Sequence, residues 1–343
     1  MLKAFAHFRR AMVLVMLIAL ASPAGKVLAG GSGLAPVLAS DGCIIDQAGR
    51  RIRTGRLKRR IISLYTAHTE NLFALGLDQA VIGVTAHDTF PPAARSKPVF
   101  SAHDDPERLL AARPDLVLTR PMLDRGHPDF VRRLEASGIT VVSLQPRNIH
   151  EVMTYWEILG ALTGQQQRAK RLVAAFKQAV ADFRRLTAGL KNKPRVYFEA
   201  IHSKMKTFAP TAVAIFVLEA AGGVNVACDA PVRPNNNIAV YGKERILSHA
   251  REIEYYLAQQ GAMNPVRADD IAGEPGFEII KAVAEGKIYL ISEKTVSRPT
   301  CRLLIGIQRI GTILHPGIFL RHGPAILERF QHRAGLDHVW IDY

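Results

Sequence analysis

Four short apolar runs, at 61–64 (IISL), 81–85 (VIGVT), 116–119 (LVLT) and 141–144 (VVSL), are separated by stretches with helical periodicity at 71–77, 107–112 and 128–137. Unbroken apolarity suits strands buried on both faces, and a strand–helix–strand rhythm leads to a parallel sheet covered by its crossover helices. One stretch breaks that rhythm. Between 165 and 190 the apolar residues Leu172, Phe176, Val180, Phe183, Leu186 and Leu190 recur every three or four positions. Arg168, Lys170, Arg171, Lys177, Arg184 and Arg185 lie mostly on the other face. At 1.5 Å per residue such a helix is about 39 Å long, the span of a whole domain. Lys193-Pro194 closes it. A second series follows, with strands at 195–201, 252–259 and 288–291 and helices at 211–221, 281–285, 301–314 and 325–334. The expected fold class is α/β, with two α/β lobes of parallel-type sheet joined by one long helix and a ligand cleft between the lobes. The expected boundaries are a leader at 1–29, a linker at 30–43, an N-terminal lobe at 44–162, the connecting helix at 163–192 and a C-terminal lobe at 193–343.

The leader differs from the rest of the chain. Lys3, Arg9 and Arg10 precede an apolar run at 11–21, and small-residue cleavage sites follow at Ala21 and Ala29. A membrane span needs about 20 apolar residues and this run is about half that, so the pattern predicts a cleaved signal peptide and a periplasmic protein. The formal charge is +15, from 45 basic and 30 acidic residues. Such a field favours anionic ligands or surfaces. Its densest cluster, RRIRTGRLKRR at 50–60, has no interleaved aromatics and reads as a solvated edge, so no nucleic-acid partner is expected. Cys43, Cys228 and Cys301 form no CxxC pair. In an oxidising compartment Cys228 and Cys301 are the pair available for a disulfide, with buried, inert thiols the equal alternative.

No P-loop, G-x-G-x-x-G, H-E-x-x-H or G-x-S-x-G is present, and no spacing singles out a catalytic triad. An exported two-lobed chain without catalytic signatures is expected to bind and close on a ligand, not to act as an enzyme. A set of segments then points to a family. IIDQAGRRIRTGRLKRRIISLYTAHTENLFALGLDQAVIGVT (44–85), KPVFSAHDDPERLLAARPDLVLTR (97–120), GITVVSLQPRNIHEVMTYWEILGALTG, RVYFEA, AGGVN and SRPTCRLLIGIQRIGTILHP occur in that order. Together, over roughly 46–316, they resemble the periplasmic cobalamin and iron-siderophore binding proteins of ABC importers. Where that family has Pro-Asp before a second-lobe strand, this chain has Arg251-Glu252.

The resemblance implies capture of a metal chelate (ferric siderophore, haem or corrinoid) between the lobes and delivery to an ABC permease and its ATPase subunit. It implies no cofactor of the protein's own, only a bound iron or cobalt chelate. It also implies an acidic docking residue on each lobe, matched here by Glu107 and Glu244. In open α/β sheets ligands bind beyond the carboxyl ends of the strands. That places Tyr65, Thr66 and His68 in the cleft, with Phe90, Ser101, His103, Arg120, His202, Lys206, Tyr241 and Arg298 on similar loops. His68, His103 and His202 are candidate metal ligands, with ordinary hydrogen-bonded loop histidines as the alternative. Arg120 and Arg298 offer forks for an anionic chelate. Glu70, at a helix start, reads as structural. The competing functions are an exported metal-chelatase-like enzyme on a similar frame, a binding protein for a bare or lightly chelated metal ion, and a sensor module presented to a membrane receptor.

Overall fold

A computed structural model describes residues 35–38, 42–54, 57–233, 236–336 and 340. The expected leader at 1–29 and part of the expected linker at 30–43 lie outside them. The described chain opens with three short strands, β1 (Val37–Leu38), β2 (Cys43–Ile45) and β3 (Arg51–Arg53), paired antiparallel in that order. The Arg-Ile-Arg of β3 alternates exposed, buried, exposed, so part of the basic cluster is a sheet edge that buries Ile52. Arg50 pairs with Asp46 (3.0 Å), Asp124 (2.8 Å) and Glu135 (2.5 Å), which ties this small sheet to the first lobe.

The first lobe then runs β4 (Ile61–Ser63), α1 (Thr66–Ala74), β5 (Val81–Gly83), α2 (Pro106–Ala111), β6 (Leu116–Thr119), α3 (Pro121–Gly126), α4 (Pro128–Ala136), β7 (Thr140–Ser143) and α5 (Ile149–Thr163). Its sheet is parallel, in the order β5-β4-β6-β7. β4 and β6 are buried at every position, as their unbroken apolar runs require. Asn148 caps α5, its side-chain oxygen accepting from the backbone N–H of His150 and Glu151 at 3.0 Å each. The helix ends at Gly164 in the left-handed conformation (φ 73°).

The long helix α6 is Gln166–Thr187, about 33 Å at 1.5 Å per residue, and lies within the expected 163–192. Its apolar face is buried against both lobes. Phe176 meets Trp156 of α5 edge-on (centroids 5.1 Å apart). Gly160 lets α5 and α6 approach, since a Cβ there would lie 2.6 Å from that of Ala169.

The second lobe comprises β8 (Arg195–Ile201), β9 (Lys206–Phe208), α7 (Val213–Ala220), β10 (Val224–Asn225), β11 (Ile238–Val240), α8 (Lys243–Ser248), β12 (Tyr255–Gln260), α9 (Ala268–Ala272), α10 (Lys281–Ala284), β13 (Ile288–Ser292), α11 (Glu293–Val296), α12 (Leu303–Leu314) and α13 (Pro316–Ala334). Its sheet order is β11-β9-β8-β12-β13, parallel at its centre, with β10 beside β8 and β9 and β11 antiparallel. About two turns beyond Phe176, near the carboxyl end of α6, Phe183 stacks on Phe319 of α13 (5.8 Å). The fold is therefore two α/β lobes joined by a long helix that shares its core with both. Cys228 is exposed and Cys301 buried, and both are free thiols, so the expected Cys228–Cys301 disulfide does not form.

Candidate ligand-binding cleft

The carboxyl ends of β4 and β6 in one lobe, and of β8, β12 and β13 in the other, carry the polar side chains. Tyr65 follows β4 as the N-cap residue of α1 and is half-buried. Arg120 follows β6, and its guanidinium carbon lies 5.0 Å from the centre of the Tyr65 ring. Such a stack holds the cation in place while its donors stay available. Among the described residues Arg120 forms no ion pair.

Across the cleft, Glu293 begins α11 directly after β13, and Arg298 follows that short helix. Arg298 donates through Nη1 to Oε1 of Glu70 at 2.7 Å and lies 3.9 Å from Glu293 through Nη2. Burial pushes the Tyr65 phenol above its ordinary range; Arg120 and Arg298 oppose the rise, and Glu70 and Glu293 add to it. One phenol thus feels charges from both lobes.

Below these residues the lobes are joined. The Pro299 carbonyl accepts from Asn71 Nδ2 (2.9 Å) and from Trp156 Nε1 (3.4 Å). Glu70 is wholly buried, and Arg302 is 3.5 Å from it. Burial raises the Glu70 pKa; Arg298 and Arg302 counter that rise. Glu70 is structural, as expected, but as the buried partner of second-lobe arginines and not as a helix cap. Arg298, expected to hold an anionic ligand, is instead paired with this carboxylate.

His68 is corrected outright as a metal ligand. α1 begins at Thr66, so His68 lies in its first turn and faces the core, wholly buried. Its Nε2 is 2.7 Å from the Thr119 carbonyl, which can only accept, so Nε2 donates and Nδ1 accepts from the Tyr155 hydroxyl at 2.6 Å. Neither nitrogen has a lone pair to offer. Burial lowers its pKa to about 4, so the ring is neutral.

Phe90 and Tyr241 are likewise core residues and not ligand contacts. Phe90 packs under Arg302 (4.3 Å) and edge-on to Trp340 (5.0 Å). Tyr241 belongs to the second lobe's core and donates to Asp229 at 2.9 Å. Thr66 is buried at the helix start. Ser101 accepts from the His103 backbone N–H at 3.1 Å and so shapes its own loop. Lys206 sits half-buried in β9.

His202 follows β8 and is the best oriented of the histidines. Its Nδ1 is 2.9 Å from Oε2 of the buried Glu199, which also accepts from the Tyr256 hydroxyl at 2.5 Å. That contact raises the His202 pKa, burial opposing it. The ring also donates to the Asp270 carbonyl, and its Nε2 lies 3.9 Å from Glu274, so His202 is held by acceptors on more than one side. His103 is exposed on the first lobe. The three expected metal ligands do not converge: no group of three or more His, Cys, Asp or Glu suited to a metal occurs among the described residues. Glu107 and Glu244 are both exposed, each in the first turn of a short helix, α2 and α8. The sequence reading missed Glu293, Glu199 and Glu274, none of which lies in a recognisable pattern.

Comparison with known proteins gives consistent results. Residues 61–295 match the family model described as periplasmic binding protein. The chain is 23% identical over 302 residues to an uncharacterised ABC transporter substrate-binding lipoprotein of Bacillus subtilis, covering 80% of this chain and 86% of the relative. It is 24% identical over 262 residues to the vitamin B12-binding protein of Vibrio cholerae, covering 74% and 88%. Among solved structures it resembles a possible iron-binding (periplasmic solute-binding) protein of Staphylococcus epidermidis, with TM-score 0.66 and 25% identity over 76% of this chain and 100% of the other.

Proposed function

The chain belongs to the periplasmic binding protein family, and on that premise we propose that it captures a metal chelate between its lobes and delivers it to an ABC permease driven by an ATPase subunit. The chelate is a ferric siderophore, haem or corrinoid. One observation carries this reading: the Tyr65 phenol, with Arg120 stacked on its ring, feels the charges of Arg298 and Glu293 from the second lobe. A half-buried phenol is a hard oxygen donor for a metal centre, and an arginine without an ion pair suits the carboxylates of such ligands. Binding of this kind needs no catalytic residue. The energy for transport comes from the ATPase, and the named relatives are themselves binding proteins.

Export to the periplasm fits the basic, short apolar leader. Glu107 and Glu244 are the proposed contacts with the permease, where carboxylate–arginine pairing sets orientation and encounter rate more than affinity. The test is a spectral and calorimetric titration of the purified chain with haem, cobalamin and a ferric hydroxamate. One of them should bind stoichiometrically, and Arg120→Ala or Tyr65→Phe should weaken it. Absence of binding to all three, with no thermal stabilisation, removes the chelate class.

A further inference from the structure

We propose that His103 and His127 form a surface site for a single divalent ion of a late first-row transition metal (copper, nickel or zinc), held by the two imidazoles and completed by water. The site uses none of Tyr65, Arg120, Glu293 and Arg298, and it pairs His103 with a histidine other than His68 and His202. His103 sits in the loop that leads into α2 and His127 in the joint between α3 and α4. α2 and α4 are linked by the Glu107–Arg133 pair at 3.2 Å, which brings the two loops to one corner of the lobe. There the rings meet at right angles with centroids 4.5 Å apart.

That separation has a chemical meaning. With metal–nitrogen bonds of about 2.0–2.1 Å and ring nitrogens about 1.1 Å from the ring centre, two imidazoles on one ion have centroids about 4.5 Å apart at a right-angled bond angle and about 5.2 Å at a tetrahedral one. The observed spacing lies at the first of these values, so the ring centres need not move apart for two of their nitrogens to meet one ion. The backbone at each residue is already fixed. The His103 N–H donates to Ser101 Oγ at 3.1 Å, the Ser101 N–H to Asp104 at 3.0 Å, and the His127 N–H to the Leu123 carbonyl at 2.8 Å.

The ring nitrogens are also available. His68, His202 and His315 each have a ring nitrogen engaged by a protein acceptor or donor, whereas among the described residues neither His103 nor His127 makes a ring hydrogen bond. Imidazole is a ligand suited to copper, nickel and zinc, with copper bound most tightly. Asp104 pairs with Arg108 at 2.8 Å, so the protein supplies two ligands and water the rest.

The test uses the full chain purified without an affinity tag and stripped of metal. Copper(II) is titrated with electron paramagnetic resonance detection, and nickel(II) and zinc(II) by calorimetry. The expected result is one ion per chain with two imidazole nitrogens in the copper spectrum. His103→Ala and His127→Gln should each weaken binding at least about tenfold, the lower bound for disturbing even an outer partner of a metal site. His322→Ala, an exposed histidine on α13, should leave it unchanged. Circular dichroism and urea midpoints check that each variant is folded. Equal affinity in the His103→Ala/His127→Gln double variant, or a copper spectrum with one nitrogen, overturns the proposal.

Discussion

Acid should destabilise this protein through His68 in a window that can be calculated. The ring is wholly buried and neutral, with a pKa lowered by burial from 6.5 to about 4. Between those values the unfolded chain takes up a proton that the native chain refuses, so stability present above pH 6.5 is lost as the pH falls toward 4. The gap of 2.5 pH units (6.5 minus 4), at 1.36 kcal/mol each, amounts to about 3 kcal/mol at full extent. At pH 5.5 the same relation gives about 1.4 kcal/mol. Asp46, Glu70 and Asp88 are buried acids with raised pKa values and tilt the profile the other way. The quantity to measure is therefore the difference between the natural chain and His68→Gln, from urea unfolding at pH 7, 5.5 and 4.5. His68→Gln should be the less stable by about 1–3 kcal/mol at pH 7, for the hydrogen bonds to Tyr155 and Thr119. That deficit should shrink by about 1.2 kcal/mol between pH 7 and pH 5.5. Parallel profiles at all three pH values would refute the assignment of His68 as a neutral core residue.

Three further outcomes are expected. Arg298→Met leaves Glu70 buried without its nearest cation and should cost about 3–5 kcal/mol, whereas Glu70→Leu/Arg298→Met should cost clearly less than the two single changes summed; additive costs from urea unfolding would rule out the interlobe ion pair. Arg120→Ala should weaken an anionic chelate by about 1.5–3 kcal/mol, roughly ten- to a hundredfold, by fluorescence titration with little change in the urea midpoint. Undiminished affinity there and in Tyr65→Phe would move the binding site elsewhere. Glu107→Ala/Glu244→Ala should bind ligand normally yet slow uptake by membrane vesicles carrying the permease, most strongly at low ionic strength. Equal uptake at every salt concentration counts against both residues as docking contacts.

What the sequence makes legible here is periodicity. The strands at β4, β6, β7 and β13, and the long α6, follow from apolar spacing alone. Boundaries are less legible, and one of them moved a functional residue. The apolar pattern of α1 begins at Asn71, but the helix begins at Thr66, where no side chain caps it to mark the start. Those extra residues turn His68 from a loop mouth into a core position. The strand β3 was hidden because only one of its three residues is apolar. Phe90 and Tyr241 stand next to glycine- or proline-containing loops, and nothing local records that their rings turn inward. Glu70 shows a limit of a different kind. Its position at a helix start has a sufficient local explanation, so its arginine partners, remote in sequence, leave no trace near it. The same holds for His103 and His127, which neither spacing nor periodicity relates.

The seam between the lobes also has a consequence for how the chain matures. Glu70 and Asn71 find their partners at Arg298 and Pro299, each 228 residues further on. Contacts of such separation form late, after the entropy of closing a very long loop has been met. A ribosome releasing this chain exposes the complete first lobe well before the arginine that neutralises its buried carboxylate exists. Until the last sixth of the chain arrives, Glu70 and Asn71 lack these second-lobe partners. Synthesis from the amino end thus leaves the two lobes without their connecting ion pair until the chain is nearly complete.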